Sequence, residues 1–142
     1  MRLELPEQRK LVYEVVVPIR WGDMDAFGHV NNTVYFRYME IARIGWLDSI
    51  AQQAGVPGQG PVVVNAFCNF LLQLEYPGEL RVRMFVANPG RSSFETYYEI
   101  ARCDEPDTVY ASGGAKTVWT DQALRRSAPL PPGLRALLEA AD

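Results

Sequence analysis

Histidine occurs once in this 142-residue chain and cysteine twice. Cys68 and Cys103 stand far apart and outside any C-x-x-C pattern, and with His29 they offer no ligand spacing, so no metal centre is expected. In a reducing compartment both cysteines are expected as free thiols. No G-x-S-x-G elbow is present, which argues against a serine-hydrolase triad. Long apolar runs are missing as well: the longest stretch, Val62 to Leu74, is broken by Asn65, Asn69 and Gln73, well short of the roughly 20 residues of a membrane span. The opening "MRLELPEQRK" has no apolar core of the signal-peptide type, so the chain is read as cytoplasmic with no membrane partner. Without secretion the sequon Asn31-Asn32-Thr33 is idle. Lysine is scarce, the basic residues are nearly all arginine, and the net charge is −3 with no basic stripe. General nucleic-acid binding is therefore not expected, although a few arginines could form a local anion site.

What is present is ordinary globular material, 48% hydrophobic and 22% charged, enough for one domain over residues 1–142 with a single core. "LVYEVVVPIR" (11–20) reads as a strand with Leu11, Tyr13, Val15, Val17 and Ile19 on one face, and Pro18 marks an edge or an end. From about Asn31 to Ala54 the period becomes helical, with apolar residues around most of the circumference, the pattern of a buried helix. "GVPGQGP" breaks it. Four strand-like segments follow: "PVVVNAFCNFLLQLEY", "ELRVRMFVAN", "SFETYYEIAR" and "TVYASGGAKTVWTD", the last with Gly113-Gly114 suggesting a bulge or a close backbone approach. "YPGE" and "NPGR" are turns, and Leu134 to Ala141 reads as a short helix. The order β-α-β-β-β-β implies an α+β fold, one antiparallel sheet wrapped around one long central helix. That helix carries more apolar girth than one sheet covers, so a homo-oligomer extending the sheet edge to edge is expected.

The chemistry concentrates in "WGDMDAFGHVNNTVYFRYME" (Trp21–Glu40). Here a glycine-containing loop feeds the start of the buried helix, whose first N–H groups lack intrahelical acceptors. Those donors and the helix dipole favour negative charge developing on an attacked carbonyl oxygen. Asp25 places a carboxylate near the same point, able to deprotonate water or attack directly. The same residues also make an ordinary turn and helix cap.

The stretch "WGDMDAFGHVNNTVYFRYMEIAR" resembles the 4-hydroxybenzoyl-CoA thioesterase-like family of hotdog-fold acyl-CoA thioesterases. The matching residues are Asp23, Asp25, Gly28, Val30, Tyr35, Glu40, Ala42 and Arg43. The resemblance implies the hotdog fold, with five antiparallel strands around the helix, and hydrolysis of an acyl-CoA or acyl-carrier-protein thioester. Coenzyme A would enter as part of the substrate, with no separate cofactor, and the assembly would be a homodimer or homotetramer. Asp25 matches the catalytic carboxylate and the Asn32 N–H the donor to the thioester carbonyl. Gly28 would let the loop pass close to the substrate, His29 would assist positioning or hydrogen-bond the carboxylate, and Tyr35 would line the acyl pocket. Arg91 and Ser92, in "NPGRSSF", match the region over which the nucleotide end of CoA lies in related enzymes. Tyr38, Met39, Phe67 and Phe70 are further candidates for the pocket wall. Asn65 and Asn69 interrupt the apolar run and, where buried, need partners, for which a neighbouring subunit's loop is one source; Asn69 is counted with the substrate-binding group. Two other readings stay open: an enoyl-thioester hydratase on the same fold, and an acyl-CoA-binding module without turnover.

Overall fold

The computed structural model describes residues 1–139. Strand β1 (Lys10–Pro18) is followed by a 3-10 turn (Trp21–Asp23), helix α1 (Asn32–Ser49) and a short α2 (Ala51–Ala54). Then come β2 (Gln59–Phe70), β3 (Glu79–Ala87), β4 (Ser93–Arg102), β5 (Val109–Asp121), the two-residue β6 (Arg126–Ser127) and α3 (Pro132–Glu139). The main strands lie in the order β1-β3-β4-β5-β2, every pairing antiparallel, with β6 added to the end of β5. The α+β hotdog arrangement expected from the sequence is the one observed, with β6 as an addition.

Alternation of side chains makes one face of β3 and β4 the floor of the core, with Phe85 and Ala87 of β3 buried on the opposite face as well. Leu80, Val82, Met84 and Val86 of β3, and Phe94, Thr96, Tyr98 and Ile100 of β4, are all buried, while the residues between them are charged or aromatic on the outer face. They meet a stripe of α1 made of Tyr35, Tyr38, Met39, Ala42 and Trp46, with Trp46 edge-on to Phe94 at 6.1 Å between centroids. The Met39 side chain of α1 seats directly on β5 at Gly113. A Cβ there would lie 2.6 Å from both the Met39 Cε and the Phe67 carbonyl oxygen. Close approach, not a bulge, is the reason for this glycine: the register shifts fall at Val63/Asn65 and Ile100/Ala101.

Several expectations need correction. The helical run ends at Ser49 and resumes as α2, because Ile50 leaves helical geometry at φ −109°, ψ 7°. Leu11 points away from the face it was expected to share, because a bulge between Leu11 and Tyr13 turns Val12 inward. The strand-like segment that begins at Pro61 stops at Phe70 rather than running on to Tyr76, and β2, an edge strand, leaves Val62 and Val64 49% and 54% exposed. Helix α1 is buried on one stripe only, and Ile44 is 50% exposed on its outer face. The closing helix spans Pro132–Glu139 and buries Leu134 and Leu138; residues 140–141 of the expected helix lie outside the described residues. Both cysteines are free, and burial pushes the Cys68 thiol up to about 12.

Candidate active site

The loop ahead of α1 is a compact hairpin. Met24 and Val30 form an isolated antiparallel bridge, the Asp25 N–H donates to His29 O at 2.9 Å, and the Gly28 N–H donates to Asp25 O at 3.1 Å. Gly28 has φ +82°, the left-handed position such a turn assigns to glycine. A Cβ there would meet nothing within 4 Å, so backbone conformation, not crowding, calls for this residue.

Asp23 fastens the hairpin to the helix. Its Oδ2 accepts from the Arg20 N–H at 2.9 Å and from the Tyr38 hydroxyl at 2.8 Å, while its carbonyl accepts from the Asn31 N–H at 2.9 Å. Burial first, then the Asp23 carboxylate, raises the Tyr38 pKa far above the ordinary phenol value, so this hydroxyl stays a donor.

Asn31 caps α1, its Oδ1 accepting from the Thr33 N–H at 2.9 Å and the Thr33 hydroxyl at 2.7 Å, and its carbonyl accepting from the Val34 N–H at 2.9 Å. One early helix donor is left over. Among the described residues the Asn32 N–H has no acceptor, and Asn32 lines a cleft of about 690 Å³.

Asp25 lines the same cleft with Phe27, His29, Tyr35 and Phe70. Its Oδ1 is held by the Phe27 N–H at 2.9 Å, and among the described residues Oδ2 has no partner. His29 does not reach for Asp25 by any recorded bond; its Nε2 lies 3.4 Å from Glu75 Oε1. The Glu75 segment is itself fixed by Arg102, which donates to Glu75 O at 3.1 Å and Pro77 O at 3.0 Å. Tyr35 is buried, stands edge-on to Phe70 at 5.0 Å, and its hydroxyl accepts from the Leu74 N–H at 3.3 Å. Burial raises its pKa, partly offset by that N–H.

Asp25, Asn32, His29 and Tyr35 are thus brought together, with Gly28 shaping their loop. Asn69 is not. It is buried, but its amide is taken up by the N-terminal segment and a neighbouring strand: Leu3 N–H donates to Oδ1 at 3.0 Å, and Nδ2 donates to Leu3 O at 2.6 Å and Ser112 Oγ at 3.1 Å. These partners come from its own chain, so no neighbouring loop is needed to satisfy it. Asn65 is exposed. Phe67 turns to the outer face beside Tyr97, at 6.4 Å between centroids. Arg91 and Ser92 sit at the other end of the sheet. Ser93 pairs with Val118 whereas the cleft residue Phe70 pairs with Ala111, a separation of about 23 Å along β5. Phe27, Leu71, Leu72 and Gln73 complete the cleft wall, and sequence reasoning missed them. The "LLQLE" run beside "YPGE" was the available signal.

The thioesterase-like superfamily matches residues 19–138 of the chain. Among solved structures, the PA2801 protein of Pseudomonas aeruginosa, assigned to the thioesterases, is 34% identical and superposes with a TM-score of 0.84, covering 90% of this chain and 98% of its own. A protein of Xanthomonas campestris, assigned as an acyl-CoA thioesterase, is 31% identical with a TM-score of 0.75 over 84% of this chain and 99% of its own. The curated relative YsmA of Bacillus subtilis, an uncharacterised protein, is 30% identical over 82 residues, 58% of this chain and just over half, 56%, of that relative. The chain belongs to the thioesterase-like superfamily, and the resemblance drawn from its sequence holds for family and fold. Thioester hydrolysis is the activity class that membership supports. No helix among the described residues is long and apolar enough to cross a membrane.

Proposed function

We propose that this protein hydrolyses acyl-CoA thioesters in the cleft at the start of α1, releasing a free acid and coenzyme A. One observation carries the reading: among the described residues neither the Asn32 N–H nor Asp25 Oδ2 has a hydrogen-bond partner, and Asn32 and Asp25 line the same cleft. A thioester carbonyl bound there has its oxygen against the Asn32 N–H and the positive end of the helix dipole. Charge developing on that oxygen is stabilised without reorganisation, an effect of about 3 kcal/mol for one donor. From the other side, Asp25 Oδ2 attacks the carbonyl carbon to give a mixed anhydride that water then opens, or removes a proton from water attacking the same carbon. Either way the tetrahedral intermediate collapses by breaking the C–S bond, and the thiol leaves. His29, engaged with Glu75, shapes the rim. An enoyl-thioester hydratase would need His29 paired with Asp25, and among the described residues no hydrogen bond joins the two side chains.

The complete site is proposed to form in a homodimer. The outer edge of β2 is free of strand partners among the described residues, and an antiparallel twofold pairing of two such edges sets the far end of one sheet beside the cleft end of the other. Arg91 of the partner subunit would then approach the cleft that this chain's own Arg91 cannot reach.

The test is thiol release from a panel of acyl-CoA thioesters by the protein and by Asp25→Asn. The substitution is expected to lower kcat by about two to four orders of magnitude with the melting curve unchanged. A variant that keeps most of its turnover would remove Asp25 from the mechanism. Single turnover in heavy-oxygen water separates the routes, since label in the Asp25 carboxylate marks the anhydride.

A further inference from the structure

A second hollow of about 260 Å³ lies under α1, walled by Thr33, Phe36, Glu40 and Arg43 of the helix and by Ala66 and Ala115 of the sheet. Small sheet residues leave this space, since Ala66 pairs with Ala115 where larger side chains would fill it. It adjoins the catalytic cleft: Asn32 lines one and Thr33 the other, and the Phe70 ring stands between them, 5.0 Å from Tyr35 and 6.4 Å from Phe36.

The wall of the hollow mixes Phe36, Met39 and small sheet residues with Thr33, Arg37, Glu40 and Arg43, and one directed hydrogen-bond chain runs from Arg43 into the sheet. Arg43 Nη1 donates to the hydroxyl of the fully buried Tyr98 at 3.1 Å. With that oxygen accepting, the Tyr98 proton points to Thr96 Oγ1 at 2.8 Å, and Thr96 in turn donates to Ala115 O at 3.4 Å. Each link thus accepts from the Arg43 side and donates away from it, ending on a backbone carbonyl, so the chain offers the guanidinium a neutral hydroxyl and no negative charge. The nearby carboxylate is already committed, because Glu40 is held by Arg37 at 2.9 Å. Arg43 itself has no carboxylate partner among the described residues, and of its five N–H donors only one is used. A half-buried guanidinium in that condition is an anion site awaiting its anion.

We propose that this hollow is the distal acyl subsite and that Arg43 selects acyl groups ending in a carboxylate. The proposal rests on the thioesterase reading above and adds the class of acyl group. Asn32 and Arg43 are eleven residues apart, about 16 Å of helix rise, and the Arg43 side chain leans back toward the helix start and shortens the gap. A half-thioester of a medium-length dicarboxylic acid fits that interval, with its thioester at Asn32 and its free carboxylate at Arg43.

The experiment compares the CoA half-thioesters of adipic, suberic and sebacic acid with hexanoyl-, octanoyl- and decanoyl-CoA at matched length. The wild-type protein is expected to favour at least one carboxyl-ended member by about tenfold or more in kcat/KM, the scale of one charge-assisted hydrogen bond. Arg43→Met is expected to erase that preference mainly through KM, and Arg43→Lys to keep part of it. Tyr98→Phe, which frees the guanidinium from its hydroxyl, is expected to reduce the preference and serves if Arg43→Met does not fold. Equal ratios in the wild type and Arg43→Met, or a wild-type preference for methyl-ended chains throughout, would overturn the proposal. If none of the six thioesters is turned over, the thioesterase reading fails separately. Calorimetric dissociation constants for suberyl- and octanoyl-CoA then decide the Arg43 assignment by the same ratio.

Discussion

In the proposed mechanism the residues around Asp25 divide the labour between chemistry and support. Asp23 and Asp25 are two positions apart, yet Asp25 lines the cleft and Asp23 does not, its Oδ2 instead accepting from the Arg20 N–H and the Tyr38 hydroxyl. Asp23 is therefore a positioning residue, and its effect is separable from that of Asp25. Replacing Tyr38 by Phe removes one donor from Asp23 and leaves the hairpin tied to α1 by backbone alone. The expected cost is about 1–2 kcal/mol in urea unfolding, with a loss of kcat/KM well below that of Asp25→Asn. An unchanged unfolding midpoint would show that the Asp23–Tyr38 bond does not hold the loop. At this scale the site was largely legible from sequence, since a turn, a cap and a helix start are built from neighbours within a dozen residues. The partners of Asn69 and His29 were not, because Leu3 and Glu75 reach them through pairing that no local pattern encodes.

At the level of elements, the Met39 side chain of α1 seats on β5 through what that strand lacks. β3 and β4 fill the core with large side chains, whereas β5 presents Ala111, Gly113 and Ala115 toward the helix, and the Met39 side chain takes the space over Gly113. An added methyl at Gly113 collides with the flexible end of Met39, which can move, and with the Phe67 carbonyl, which belongs to the paired strand and cannot. Gly113→Ala is therefore expected to destabilise by about 1–3 kcal/mol despite the usual entropic benefit of losing a glycine. Gly22→Ala, where a Cβ would meet nothing within 4 Å, is the control and should be neutral or slightly stabilising. Equal thermal midpoints for the two variants would refute the close-packing account. The alternating strands β3 and β4 were readable from sequence because each has one wet and one dry face. The sequence of β2 did not by itself tell an edge from a covered strand, because β-branched residues suit an edge awaiting a partner as well as they suit a covered one.

For the whole molecule, large apolar residues are left exposed on two elements. Phe36, Ile41 and Ile44 on the outer side of α1, and Val62, Val63 and Val64 along β2, are all large hydrophobic residues classed among the exposed. An unpaired edge strand rich in valine is ordinarily blunted with lysine or proline against indiscriminate pairing, and β2 carries no lysine and only Pro61 near its start. Such an edge persists where pairing is part of the native state, and a twofold partner satisfies both the strand and the helix flank in one contact. The wild-type protein is accordingly expected to run as a dimer or larger even-numbered assembly in size-exclusion chromatography with light scattering. Ile44→Lys combined with Val64→Lys places like charges on both sides of the symmetry axis and should yield a monomer with native circular dichroism. Because Arg91 lies about 23 Å from its own cleft along β5, that monomer should also show a raised KM for CoA thioesters. A wild-type monomer with full turnover would mean that one chain suffices, and that Arg91 takes no part in binding the nucleotide.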